Sequence, residues 1–125
     1  VVTSAEDRQL TDDLDACLAP GRFVDSGTAT VVEFARRVAG DARAPAERAR
    51  RLYRAVRDEI RYDPYRIGRR PEDHSASVAL RRGWGYCIPK AALLAAGARN
   101  VGIPARLGFA DVRNHLTSDR LRRTL

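Results

Sequence analysis

The sequence predicts an α+β domain that is mostly helical and whose sheet is cut short. Three observations predict it. Apolar residues recur at helical spacing in several segments between residues 5 and 99. Only Ile103–Val112 alternates like a strand, at Ile103, Ala105, Leu107 and Phe109. A lone strand cannot satisfy its own backbone, and even an isolated hairpin is marginal, so one or two strands here imply an incomplete sheet. The 125 residues make one domain's worth of chain, taken as a single unit over 1–125.

The elements follow in order. Residues 5–18 place Leu10, Leu14, Cys17 and Leu18 on one stripe, and Pro20-Gly21 ends them. Cys17 on that stripe is expected to be a small buried hydrophobe. Thr30 with Glu33 predicts a capping box for a helix carrying Val31, Phe34, Ala35 and Val38, stopped by Gly40. Pro45 opens the next helix, whose buried stripe is expected to be Ala49, Leu52, Tyr53, Val56 and Ile60. Asp63-Pro64 stops it, because the residue before proline avoids the helical region.

Residues 64–74 are loop-like. Ser75 caps a short helix with Val78 and Leu80, which Gly83 and Gly85 break. Cys87 to about Arg99 forms a helix, with Ala91, Leu94, Ala95 and Ala98 on one close-packing face, ended by Asn100 and Gly102. After the strand, residues 117–125 are helical again, capped by Thr117 or Ser118. Asp58 and Arg106 are expected to pair inside the core.

Composition narrows the function. The formal charge is +7, and of 23 basic residues only Lys90 is a lysine. Arginine pairs such as Arg36-Arg37, Arg69-Arg70 and Arg122-Arg123 are spread over nearly every segment, and aromatics are few. A nucleic-acid footprint would cluster on one face, so an arginine-rich nucleic-acid binder is the weakest of the readings. No long uncharged apolar run exists to span a membrane, and no signal-peptide layout opens the chain. Two distant cysteines with no second pair suit a reducing, cytoplasmic compartment, and no metal or organic cofactor is implied. No methionine opens the chain, so it is expected to be a processed or partial product.

The stretch that carries chemistry is Gly83-Trp84-Gly85-Tyr86-Cys87-Ile88-Pro89-Lys90. It sets a cysteine where a glycine-rich turn gives way to a helix. A helix N-terminus carries unpaired N–H groups and about half a positive charge, which favour a thiolate over a thiol. Cys87 is therefore the candidate nucleophile, with Trp84 and Tyr86 either lining a substrate groove or covering the helix start.

The run Tyr86-Cys87-Ile88-Pro89-Lys90-Ala91-Ala92-Leu93-Leu94, then Gly102-Ile103-Pro104-Ala105-Arg106, resembles the transglutaminase-like superfamily, in its bacterial cysteine-protease form. Leu52–Pro64 resembles the helix that precedes the nucleophile there, and the likeness covers about residues 25–116. It implies a papain-like core with an antiparallel sheet, whose strands supply a histidine and then an aspartate. It implies a cysteine-dependent hydrolase or acyltransferase, a protease or amidase acting on a peptide or protein amide.

The chain offers only His74 and His115. His74 precedes the cysteine, against the family order. His115 follows it but lacks the strand context of the family's base, so it is either a catalytic base or a polar histidine near the site, with the base and aspartate beyond Leu125. Asp111 either orients a base or closes a turn. The chain is thus expected to be incomplete for catalysis, the alternative being a non-catalytic binding or scaffold module of the same fold. The unfinished sheet leaves an edge open to homodimerisation.

Overall fold

The computed structural model describes residues 4–111 and 119–124. Its element order is α1 (Ala5–Ala16), α2 (Ala29–Ala39), α3 (Pro45–Glu59), β1 (Arg61–Tyr62), a 3₁₀ turn (Pro71–His74), α4 (Ala76–Arg82), β2 (Trp84–Gly85), α5 (Cys87–Asn100) and α6 (Asp119–Thr124). The mostly helical α+β class holds.

The sheet differs from the expectation. It has two strands of two residues each, and they run parallel, Arg61 opposite Trp84 and Tyr62 opposite Gly85. The Arg61 N–H donates to the Gly83 carbonyl and the Asp63 N–H to the Gly85 carbonyl. The two strands are joined by the 3₁₀ turn and α4, a crossover long enough to set them side by side in the same direction.

Residues 103–111, the expected strand, form no ladder. Burial still alternates: Ile103, Ala105 and Leu107 are half-buried, while Pro104, Arg106 and Gly108 are exposed. The segment is held at single points instead. The Ala105 N–H donates to the Cys17 carbonyl, and the Arg99 guanidinium donates to the Ala105 carbonyl. The hydrophobic alternation is therefore real, but no neighbouring strand is present among the described residues to pair with it. The expected helix at 117–125 appears as α6, and its candidate caps Thr117 and Ser118 lie outside the described residues.

Helix α5 is the hub, packing on α2, α3 and α4. Its buried residues include Ala92, Leu93, Ala95, Ala96, Gly97 and Ala98. The expected face was off by part of a turn: Ala91 is exposed and Leu94 half-buried. Small side chains let neighbours approach closely. A methyl added to Gly97 would lie 2.8 Å from Leu52 Cδ2 on α3. Leu52, Leu93 and Val31 are the largest fully buried side chains, and Phe34, Val56 and Ile60 complete the core around them. Each such side chain contributes roughly 1.5–3 kcal/mol of burial.

Three other expectations are corrected. The N-cap of α2 is Thr28, not Thr30, and its hydroxyl donates to the Asp25 carbonyl rather than capping the helix. On α3, Leu52 and Val56 are buried, as is Ile60 just past its end, but Ala49 and Tyr53 are exposed, because only one flank of that helix meets α2 and α5. Asp58 pairs with Arg57 at 2.7 Å on the surface, and Arg106 is exposed, so no buried Asp58–Arg106 pair forms. Helix α1 starts where expected, with a Ser4–Asp7 capping box, but ends at Ala16 rather than at 18 and buries no residue. Leu10 and Leu14 stay exposed and Cys17 is half-buried.

Ser75 caps α4 by position, but its hydroxyl bonds the Glu72 carbonyl. The carboxylate of Asp25 serves the helix start instead, accepting from both the Ser77 N–H and its hydroxyl. Gly83 then ends α4 in the left-handed region at φ 73°, where a side chain would be strained. That turn delivers the chain into β2 and directly onto α5.

Candidate active site

Cys87 is the first residue of α5 and is exposed. Tyr86 is the N-cap in extended conformation and supplies no side-chain cap. The first intrahelical bond runs from the Lys90 N–H to the Tyr86 carbonyl. Of the three preceding positions Pro89 has no N–H, so the helix leaves the amides of Cys87 and Ile88 without intrahelical partners. These open donors and the positive end of the helix dipole lie at the turn that carries Cys87.

A pocket of about 200 Å³ opens beside the sulfur, lined by Cys87, Ile88, Ala91, Leu107, Phe109 and Ala110, with the Gly108 backbone. The segment after α5 thus forms the far wall. Phe109 is 76% exposed, an aromatic edge at the pocket mouth.

Two phenols flank the cysteine. Burial pushes the Tyr62 phenol above its usual range, and the negative charge of a Cys87 thiolate pushes it further. The same two causes, in the same order, raise Tyr86. Tyr62 comes from β1 and Tyr86 follows β2, so the parallel strand pair is what brings both rings to the sulfur. Tyr86 is fixed from behind: its hydroxyl lies 2.6 Å from His74 Nδ1, and the two rings meet edge to face at 5.6 Å.

The first turn of α5 is anchored to α3. Lys90 Nζ donates to the carbonyls of Ile60, at 2.5 Å, and Arg57, at 3.4 Å. A cation on the final carbonyls of a helix is favourable for the dipole and satisfies orphan acceptors. Burial pushes the Lys90 ammonium below its usual range, with the nearby Asp58 opposing.

Trp84, on β2, lines a small hollow together with Tyr86, Arg66, Arg82 and Pro89. The guanidiniums of Arg66 and Arg82 lie 4.5 Å and 5.1 Å from its ring centroid. Arg82 and Arg70 converge on the buried Asp73, at 2.9 Å and 3.3 Å. The Arg70 backbone N–H, and then the two guanidiniums, hold the Asp73 carboxyl below the ordinary range.

The structure therefore brings Cys87 and Tyr86 together, sets Trp84 two residues before Tyr86 on β2, and adds Tyr62, His74 and the Leu107–Ala110 wall, which sequence reasoning had not assigned to the site. Tyr62 carried a faint signal, an aromatic between a helix and Asp63-Pro64. The His74–Tyr86 bond carried none, since nothing local links residues twelve apart across a turn and a helix. His74 is engaged with Tyr86, and His115 lies outside the described residues. Asp111 is exposed and belongs to no strand. Among the described residues no three His, Cys, Asp or Glu side chains converge as a metal site requires, and no helix is long and apolar enough to cross a membrane.

A cysteine opening a small-residue helix is what the sequence resemblance implies, whereas the antiparallel sheet it also implies is replaced among the described residues by a parallel strand pair. A family model of the transglutaminase-like superfamily matches residues 32–122, well over half the chain. The chain belongs to the transglutaminase-like superfamily. The match runs from within α2 through α5 and so includes every residue of the cluster around Cys87. No curated protein and no solved structure matches the chain. Membership in the transglutaminase-like superfamily covers a possible cysteine-dependent hydrolase or acyltransferase at the level of the group, without fixing one reaction.

Proposed function

We propose that this transglutaminase-like chain carries the nucleophile half of a cysteine-dependent acyl-transfer site acting on peptide or protein amides. One observation supports it most: Cys87 is exposed at the first position of α5 and opens on a pocket. A structural cysteine on an alanine-rich helix would face inward with Ala92 and Ala96, which are fully buried.

In this reading the Cys87 thiolate attacks the amide carbon. The carbonyl electrons move to oxygen, and the open amides at the helix start stabilise that oxyanion. The C–N bond then breaks, the amine leaves with a proton from a general acid, and a thioester remains on Cys87. Water releases an acid, or a second amine forms a new amide. Leu107, Phe109 and Ile88 offer an apolar seat for the acyl side chain, and Trp84 and Tyr86 border the approach. His115 is the acid–base candidate that the sequence offers. Two unpaired cysteines suit a reducing, cytoplasmic setting.

A second reading, a non-catalytic module of the same fold, draws on one observation: His74, the histidine described, bonds Tyr86. An activated acyl ester and intact-mass measurement separate the two. The catalytic reading expects one acyl adduct on Cys87, lost in Cys87→Ser, with Cys17 unmodified. No adduct, or equal labelling of Cys17 and Cys87, leaves the scaffold reading.

A further inference from the structure

Among the described residues, helix α1 is short of partners in its own chain. Its twelve residues bury none of their side chains, and Leu10 and Leu14, one turn apart on the same face, are 60% and 45% exposed. A helix of that length is marginal in water without a packed face. Its charges add to the deficit. Glu6, Asp7, Asp12, Asp13 and Asp15 stand against Arg8 alone, and the last turn has no basic residue. The carboxylates near its C-terminus oppose the helix dipole, so they need cations from elsewhere.

The α3–α5 face supplies both deficits. A groove of about 240 Å³ runs between these helices, lined by Tyr53, Val56, Arg57, Lys90, Ala91 and Leu94. Tyr53 is 55% exposed there, and Leu94 is half-buried. A second hollow continues from it across Tyr53 and Arg57 to Arg50 and Arg54. The surface is thus an apolar channel rimmed by arginines. Arg57 pairs with the exposed Asp58 and Arg50 with the half-buried Glu47, while Arg54 acts on Asp58 through its charge.

We propose that α1 of one copy seats in the α3–α5 groove of a second copy, Leu10 and Leu14 over Tyr53 and Leu94, its carboxylates along Arg54 and Arg57. Charge complementarity selects this occupant: an acidic helix with an exposed leucine pair meets a basic groove with an exposed apolar floor. Within one chain α1 makes no substantial contact with α3 or α5. Reciprocal exchange uses both grooves and both helices and closes as a two-fold dimer. The proposal is independent of any chemistry at Cys87.

Sedimentation of the full chain over a range of concentrations tests it. The expected result is a monomer–dimer equilibrium, with helical circular dichroism rising as dimer forms. Leu10→Asp with Leu14→Asp removes the dimer without threatening the fold, because α1 contributes nothing to the core. Charge reversal gives the sharper test. Asp12→Arg with Asp13→Arg, or Arg54→Glu with Arg57→Glu, each weakens self-association by on the order of 10-fold or more. Mixing the two reversed proteins restores a dimer, since each basic α1 then meets an acidic groove and each acidic α1 a basic one. A monomeric mass at every concentration overturns the proposal. So does a dimer that survives Leu10→Asp with Leu14→Asp, or a mixture that stays monomeric.

Discussion

The Tyr86 hydroxyl lies 2.6 Å from Nδ1 of His74, so the N-cap residue of α5 is tied to the 3₁₀ turn on the far side of α4. The bond fixes the ring that stands next to Cys87. With Nδ1 unprotonated the phenol donates; with Nδ1 protonated it accepts.

Removing either partner leaves a part-buried polar group unsatisfied. His74→Ala and Tyr86→Phe are each expected to cost about 1 kcal/mol in denaturant unfolding. The double variant should cost little more than the worse single one, because both remove the same bond. Alkylation of Cys87 should change in both single variants, since Tyr86 is its immediate neighbour. Fully additive losses would show that the two side chains act separately.

Asp73 makes acid stability a local property of the loop beneath Trp84. Its carboxyl is held below the ordinary range by the Arg70 N–H first, then by Arg70 and Arg82. The unfolded chain therefore takes up a proton at a higher pH than the folded chain does. The stabilisation is complete above the unfolded value, about 4, and is lost as pH falls through the folded one. Asp73→Asn should lower stability at neutral pH and flatten the acid limb of a stability–pH curve. An unchanged acid limb in Asp73→Asn would remove this carboxylate from the account.

How far the sequence reveals the site depends on distance along the chain. Cys87 at a helix start follows from local rules: glycines before it, Pro89 in the first turn, an alanine run after it. Helix ends at Gly40, Pro45 and Gly83 follow from backbone chemistry in the same way. The parallel pairing of Tyr62 with Gly85 does not, because two-residue strands carry no periodicity. The Ile103–Val112 run shows the converse. Its alternation was legible and its burial does alternate through Leu107, yet alternation specifies a face and not a partner. Tyr53 misled for a related reason: it lies at helical spacing with Leu52 and Val56, but on the edge of the stripe, over the α3–α5 groove.

The approach of α3 to α5 turns on a missing side chain. A methyl on Gly97 would come within 2.8 Å of Leu52 Cδ2, and Leu52 is fully buried. Gly97→Ala gains up to about 1 kcal/mol of helix propensity. Overpacking in a filled core costs roughly 1–3 kcal/mol. The clash should win, with a net loss of about 1 kcal/mol and a lowered midpoint in thermal unfolding. Leu52→Ala in the same chain relieves the clash, so the two substitutions together should cost less than the sum of each alone. Strict additivity would mean that the helices simply move apart.

Tyr62 and Tyr86 both report on the Cys87 sulfur. Burial raises both phenols, and the charge of a Cys87 thiolate adds to it. The folded chain then keeps two protons that the unfolded chain releases near pH 10, an ordinary phenol value. Stability is undiminished below that pH and falls as pH climbs through the folded values. Cys87→Ser removes the charge and leaves the burial. Tyrosinate absorbance in that variant should therefore rise at lower pH than in the parent chain, yet still above an ordinary phenol. Tyr62→Phe and Tyr86→Phe assign the two transitions. If both transitions stay where they were in Cys87→Ser, the sulfur does not carry charge beside these rings.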